Sequence, residues 1–397
     1  MLVSACTRLR TLRSPTTGGG VTILLLAYTA FLVLSYSGFS NMLPALLAVR
    51  GVSVEAIGGA YALEKAVVAA VSFTALALST YRRAYAAMPL LTILYGLLLA
   101  VFAKVEDPRL LVLLVPLITG VYMSLRPFNR SLVNALVEGR RLGLAAGALS
   151  SISTLIAAIS TALFGALLQY LGLANSIFVL LFFLAAALIM QAILVRAMPR
   201  PPEAPRSSAK APKAVVLDLV LLLSAISEFF EAAVAVYGSI ILWDLLGGPL
   251  PAGVALSLGY VVGVALGPMM GALSDKLDKP VALMGLSTAM IASSYFLLSY
   301  GYVDAGAVYA AIALMGAAPA LYTPNLQRYV RHMTNTRGMD PAAYFSAYEL
   351  FMSLAGIPAP LAAALLIAHS GFQEFLFVYA LGTLIIGLLL IALEGRI

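Results

Sequence analysis

The chain has 397 residues, of which 62% are hydrophobic and only 10% charged, with a formal net charge of +7 and a mean hydropathy of +1.00. An ordinary soluble domain has about 25% charged residues, and a single soluble core does not bury this much apolar side chain. This composition excludes a soluble globular protein, and because apolar runs recur along the whole chain, a cleaved signal peptide does not account for it.

The positive charge is assigned to loops that face anionic lipid rather than to a nucleic-acid surface, since basic residues cluster between apolar runs. The single cysteine, Cys6, excludes an intrachain disulfide. We find no GxxxxGK[ST] phosphate loop and no cluster of Cys, His and carboxylates with metal-ligand spacing. We therefore expect no nucleic-acid partner, no cofactor, no metal and no enzymatic activity, although a purely carboxylate-based membrane enzyme is not excluded.

A chain crosses a bilayer as a helix when roughly 20 mainly apolar residues follow one another. Runs of that length predict twelve spans in chain order: 21–48, 56–79, 84–103, 110–136, 144–170, 175–198, 215–243, 252–274, 281–300, 306–327, 342–368 and 372–393.

The basic residues predict the orientation of these spans. With the N-terminus inside, most of them face the cytoplasm, and the outer side holds only Arg50, Lys104 and Arg109. We expect a multi-pass protein of the cell membrane with both termini in the cytoplasm.

A polar, Pro-rich segment, RPPEAPRSSAKAPKA, lies near the middle of the chain and is typical of a flexible linker. A shift of about half the length aligns RPFNR (126–130) with TPNLQ (323–327), which indicates an internal repeat; parallel repeats of this kind are a known transporter plan. The predicted organisation is a basic tail (1–20), an N-terminal six-helix bundle (21–198), the linker (199–214), a C-terminal six-helix bundle (215–393) and a short cytoplasmic tail (394–397).

Between spans 8 and 9 stands GALSDKLDKP (271–280), which resembles the loop motif of the major facilitator superfamily. Asp278 replaces the second Gly of the motif, and the equivalent first-half loop, ALSTYRRA, keeps only the basic residues. Together with the spans and the repeat, the resemblance covers nearly the whole chain. It implies an all-α membrane fold of two pseudo-symmetric six-helix bundles. The residues that match the motif are Gly271, Leu273, Asp275, Lys276 and Lys279.

The motif predicts a latch on the cytoplasmic side. Asp275 at the end of span 8 should seek a cation or a helix N-terminus. By the two-fold symmetry that the resemblance implies, its partner is the loop between spans 4 and 5, which carries Arg140 and Arg141. The alternative is an ordinary basic loop with one incidental Asp.

Several charged residues fall inside the predicted spans, where a charge at mid-bilayer costs at least about 2.5–3.5 kcal/mol and usually faces a cavity or a partner. The resemblance implies that spans 1, 4, 7 and 10 line a central cavity and that spans 2, 5, 8 and 11 flank it. Each deep charge falls on one of these spans: Glu64, Lys65, Arg126, Arg130, Glu228, Glu231 and Glu349.

The carboxylates are the candidates for proton coupling. Glu228 and Glu231 are three residues apart on one helix face, so they repel each other, and a low dielectric favours a proton on one of them. Glu64 and Glu349 are further candidates. The alternative is that the span 7 carboxylates are structural partners of Arg126 or Lys65.

The basic residues are candidates for substrate binding. Arg126 suits a carboxylate or phosphate of a substrate, or equally a structural partner on span 7. We expect Lys65 to meet a carboxylate of span 7 or 11, and Glu64 to turn toward Arg126 or the core of the first half. A wall of aromatic and polar residues completes the predicted site: Tyr36, Asn41, Tyr122, Asn129, Tyr237, Tyr322 and Asn325.

The predicted function is a secondary transporter, active as a monomer, that moves a small organic solute by alternating access and is driven by protons. One alternative is an uncoupled facilitator, or an exporter of lipid-like or drug-like molecules, with structural charges. Another is a sensor or enzyme built on a transporter fold.

Overall fold

The protein is built from α-helices throughout the part of the chain that the structure, a computed structural model, describes. It describes residues 18–78, 81–136, 142–197, 218–277, 279–301, 304–337 and 341–394. Within the helices, some side chains lie outside the description, chiefly those of residues 71–88, 126–136, 142–150 and 334–347. The predicted all-α class is confirmed for the described residues.

The first half of the chain begins with four separate helices. They are α1 (Gly18–Val49), α2 (Val54–Leu78), α3 (Tyr81–Lys104) and α4 (Pro108–Leu136). The next segment, Leu142–Ala197, breaks at Gly172, where the backbone has φ 73° and ψ 173°. We label its arms α5 (142–171) and α6 (173–197). Because glycine adopts positive φ at no steric cost, one residue turns the chain where the sequence predicts a longer connection.

The second half contains the remaining helices. They are α7 (Leu219–Leu246), α8 (Pro249–Leu277), α9 (Pro280–Tyr300), α10 (Ala305–Arg337), α11 in two pieces (Pro341–Gly356 and Pro358–Ser370) and α12 (Phe372–Leu393). The predicted span 342–368 is therefore interrupted at Ile357, since Pro358 has no N–H to continue the helical hydrogen bonds.

The apolar character of these helices fits a membrane. Among the described residues, eight helical segments are long and apolar enough to cross one, and two shorter apolar helices lie at Pro89–Lys104 and Pro108–Met123. The segment Ser151–Leu194 counts once among the eight, although its 44 residues run through the break at Gly172.

Most helix packing lies within each half of the chain. The α1 helix packs on the α5–α6 segment, α2 on α4, and α3 on both α4 and α6. In the second half, α9 packs on α10 and α12, and α8 packs on α10. Gly263 and Gly316 bring α8 and α10 together, since a Cβ on Gly263 would lie 2.7 Å from the carbonyl oxygen of Gly316.

The two halves meet through α2 with α11 and through α5 with α8. A Cβ on Gly58 would lie 2.7 Å from the carbonyl oxygen of Pro360, and one on Gly253 would lie 2.8 Å from that of Thr161. These contacts lie toward the end of the molecule where α1 ends and α2 begins, at 49–54, and we call this end the closed end. Backbones approach there as closely as they do in small-residue helix pairs of membrane proteins.

The close contact at Gly58 predicts a difference between two adjacent substitutions. Gly58→Ala places a methyl group 2.7 Å from both the Pro360 oxygen and the Tyr237 hydroxyl, whereas a Cβ on Gly59 meets nothing within 4 Å. We expect Gly58→Ala to lower the free energy of unfolding by about 1–3 kcal/mol, as overpacking does. Gly59→Ala should be neutral or slightly stabilising.

Thermal and denaturant unfolding of the two purified variants in the same detergent measures this difference. Equal stability of both variants would show that α2 and α11 are not in backbone contact.

Candidate functional site

An ion pair joins the two halves of the chain near the middle of the helices. Lys65 lies about 16 Å along α2 from its first residue, Val54, and its Nζ is 3.3 Å from Oε1 of Glu228 on α7. The aliphatic stem of Lys65 packs against Gly356, next to the break in α11. The predicted meeting of Lys65 with a carboxylate of span 7 or 11 is confirmed.

This ion pair remains partly accessible. The side chain of Lys65 is 27% exposed and that of Glu228 is 22% exposed. Each group therefore keeps part of its charged surface open at the interface between the halves. A partly desolvated pair of this kind is stabilised by Coulomb attraction between the two halves.

Glu231 lies one helical turn beyond Glu228, on the same face of α7. Its Oε1 accepts a hydrogen bond from Ser227 Oγ at 2.6 Å, and the residue is partly buried. The hydroxyls of Tyr295, Tyr322 and Tyr348, on α9, α10 and α11, lie within electrostatic range of this carboxylate. We call Lys65, Glu228 and Glu231 the central charge cluster.

A group of hydroxyls adjoins the cluster in the second half. Tyr322 Oη donates to Ser224 Oγ at 2.9 Å, and it lies 3.4 Å from Tyr348 Oη. Ser224 is on α7, one turn before Glu228. Polar side chains of α7, α10 and α11 therefore converge on one region, which includes the predicted wall residue Tyr322.

The predicted aromatic residues of the first half form a buried group. The rings of Tyr36 and Tyr122 stack with centroids 3.3 Å apart, and Tyr95 packs at a tilt against both. Glu64 is 6% exposed and lies within electrostatic range of buried Tyr61. Since adjacent helix residues are about 100° apart, Glu64 is buried while its neighbour Lys65 reaches the interface.

Two predicted wall residues instead join helices at the interface. Asn41 Nδ2 donates to Thr161 Oγ1 and to Tyr260 Oη, both at 2.9 Å, which links α1, α5 and α8. Tyr237 Oη lies 3.0 Å from the carbonyl oxygen of Pro360 and 3.2 Å from that of Val54, so it bridges the halves.

Asn325 is buried within the second half. Its Oδ1 accepts from Ser274 Oγ at 2.6 Å and its Nδ2 donates to the Leu321 oxygen at 2.7 Å. Arg328, one turn on, donates from Nη1 to the carbonyl oxygen of Ser274 at the end of α8. These bonds hold α10 on α8 beside the loop motif, where Lys276 and Lys279 are exposed, as is Leu273, and Gly271 is partly buried.

Several predicted residues lie outside the described part of the structure. This applies to the side chains of Arg126, Asn129, Asp275 and Glu349, and to Arg140 and Arg141 altogether. The latch between Asp275 and the loop of spans 4 and 5 therefore remains a prediction.

Sequence reasoning missed some polar residues that the fold brings to the site. Ser227 had a local signal, since it is four residues before Glu231 and so on the same helix face. The partners of Asn41 had none, because Thr161 and Tyr260 are separated from it by 120 and 219 residues along the chain.

Comparison with known proteins confirms the family resemblance. The family model of the Major Facilitator Superfamily matches residues 220–396, which are the second half of the chain. No curated protein matches the sequence significantly.

Solved transporter structures share the fold over nearly the whole chain. The nucleoside transporter NupG superposes with a TM-score of 0.70 at 12% identity, covering 96% of this chain and 100% of its own. The human organic anion transporter MFSD10 (TETRAN) gives 0.65 at 16% identity, covering 93% and 98%. A POT family transporter in complex with a thioalcohol-conjugated peptide gives 0.73 at 12%, covering 94% and 96%.

The ion pair predicts energetic coupling between Lys65 and Glu228. Lys65→Met and Glu228→Gln should each lower the free energy of unfolding, because each leaves a partly buried charge without its partner. The double variant should lose less than the sum of the two, with a coupling of about 1–2 kcal/mol.

A double-mutant cycle measured by denaturant unfolding in detergent tests this. Exposed Lys276 offers a matched control, since Lys276→Met combined with Glu228→Gln should be additive. If the effects of Lys65→Met and Glu228→Gln on the free energy of unfolding were additive, this would contradict the contact.

Proposed function

We propose that this chain, whose residues 220–396 match the family model of the Major Facilitator Superfamily and whose fold is shared by solved transporters, is a secondary transporter of that superfamily. It moves a small organic solute across the membrane by alternating access, driven by protons. The observation that carries the proposal is the central charge cluster, one lysine and two glutamates at the contact between the halves.

Glu231 is the coupling carboxylate in this proposal. Lys65 forms its ion pair with Glu228, whereas Glu231 is held by a neutral donor, Ser227. A second carboxylate one turn away in a low-dielectric region is stabilised by binding a proton or a cation. Protonation of Glu231 from one side and release to the other then links transport to the proton gradient.

Alternating access is supported by the contacts of the closed end. The halves meet there through glycine and through single polar bonds, such as that of Tyr237 with Val54. Contacts of this kind separate without leaving buried charges behind. The rocking of one half against the other around a central site is the general plan of transporters built from repeats.

The organisation follows from the same proposal. Residues 21–198 and 215–393 form two six-helix bundles of a twelve-span protein, joined by the linker at 199–214. Both termini lie in the cytoplasm, the protein acts as a monomer in the cell membrane, and it has no catalytic activity of its own.

An uncoupled facilitator is the second candidate, and the ion pair itself favours it. If Lys65 and Glu228 stay paired throughout, the charges are structural and flux follows the solute gradient alone.

Glu231→Gln distinguishes the two. In proteoliposomes with an internal pH dye, we expect solute uptake by the wild-type protein to be accompanied by proton movement, either in the same direction as the solute or in the opposite direction. Glu231→Gln should abolish the proton flux and keep solute exchange, because the amide accepts the Ser227 bond but binds no proton.

Glu374→Gln, at an exposed carboxylate in the first turn of α12, is the matched control and should transport like the wild type. Solute uptake that ignores the pH gradient in the wild-type protein would support the facilitator and remove proton coupling.

Alternating access predicts that the closed end opens. Ala364 is 1% exposed, and its Cβ would lie 3.0 Å from one on Gly58. In a Cys6→Ser background, Ala364→Cys should react slowly with a membrane-impermeant maleimide. Tyr237→Phe should speed this reaction several-fold, because it removes the hydroxyl that joins Val54 and Pro360.

A cysteine at exposed Gln373 should label rapidly in both backgrounds. If Ala364→Cys stays unreactive from that side in a protein that transports, the closed end does not open.

A further inference from the structure

The central charge cluster has an asymmetry that bears on the substrate. Among the residues whose side chains the structure describes, the first half contributes one cation to this cluster, Lys65, and the second half contributes two carboxylates, Glu228 and Glu231, on one face of α7. The opposite charges that meet at the interface therefore come from different halves of the chain. The positive charge is on α2 and the negative charges are on α7.

Lys65 and Glu228 each have unused capacity for a ligand. A lysine ammonium has three donors and a carboxylate has two acceptor oxygens. The bond between them uses one of each, from Nζ to Oε1 at 3.3 Å, and both side chains are partly exposed. A ligand at the interface therefore contacts both charges before it displaces either.

Electrostatics limits which ligands take the place of this pair. A simple anion that binds Lys65 leaves Glu228 without its cation, and a simple cation that binds Glu228 leaves Lys65 without its anion. An uncompensated charge at this depth is strongly unfavourable. A ligand that carries both charges replaces both partners at once.

Glu231 adds a preference to this balance. A simple anion next to Lys65 approaches two carboxylates on the same helix face, which repel it. An ammonium group bound at Glu228 instead gains from the second carboxylate, Glu231, one helical turn away on the same face of α7, where Ser227 holds it by a hydrogen bond.

We infer that the substrate is a zwitterion, an amino acid or a short peptide-like molecule, whose carboxylate binds Lys65 and whose ammonium group binds Glu228, with Glu231 adding a second negative charge one helical turn away. This inference rests on the proposed transport function and names its substrate class. The ligand replaces an ion pair between the halves with two bonds, one to each half, so it holds them at a new separation without an unpaired charge.

Three compounds of one length test the inference: 6-aminohexanoic acid, hexanoic acid and hexylamine. Glycine, 4-aminobutyric acid, the twenty standard amino acids and dialanine extend the series of zwitterions. Binding to the purified protein is measured by ligand-induced thermal stabilisation and confirmed by calorimetry. We expect the wild-type protein to bind at least one zwitterion at least about tenfold more tightly than the acid and the amine matched to it in length.

Two variants should change which ligand charge the protein prefers. Glu228→Gln frees Lys65, so a plain carboxylate should gain affinity while the zwitterion loses it. Lys65→Met frees Glu228, so a plain amine should gain affinity. Lys104→Met, at an exposed lysine at the end of α3 and outside the cluster, should bind as the wild type does.

Some results overturn the inference alone. One such result is that the wild-type protein binds the plain acid or the plain amine as tightly as the zwitterion matched to it in length. Another is that it binds no zwitterion in the series. A third is that Lys65→Met leaves the zwitterion affinity unchanged. Proton-coupled uptake of another class of solute would then leave the proposed function standing. Zwitterion binding without any pH-driven uptake would instead remove the proton coupling and keep the substrate class.

Discussion

The contact of Lys65 with Glu228 is the constraint around which the rest of the structure is arranged. Each charge lies deep in a largely apolar helix, where it is tolerated because the other half of the chain supplies its partner. The pair therefore links α2 to α7 where α2 packs on α11, and Gly356 leaves room for the lysine stem. A bond that both halves need is also a bond that any movement between them must break or exchange.

The closed end and the charge cluster place different demands on the chain. At the closed end, glycines and backbone carbonyls give close packing through weak, short-range contacts that are lost and remade without uncompensated charge. At the cluster, separation of the halves requires a replacement for each charge. In the proposed transport cycle, the halves therefore move only when a ligand or a proton is present.

The sequence predicted most of the fold because membrane helices are local. Long apolar runs with basic residues between them identify spans such as 372–393, which the structure places at Phe372–Leu393. It also predicted that Lys65 meets a carboxylate on another helix, since an unpaired charge is excluded at that depth. It did not predict the break at Ile357, although Pro358 signals one, because proline also occurs inside other helices here, as Pro268 does in α8.

The sequence predicted less of the candidate site than of the fold, and the reason is a different physical one. A polar residue on a lining helix faces the interface or packs against a neighbour, depending on the rotation of that helix, which packing sets. Asn325 and Tyr322 are three residues apart on α10, yet Asn325 is buried against Ser274 of α8 while Tyr322 reaches Ser224 of α7. A charged residue is the more reliable guide, because a buried charge needs a compensating group whatever the rotation of its helix. This is why the three members of the central charge cluster were singled out from sequence, whereas the hydroxyls of Ser224, Ser227 and Tyr348 around them were not.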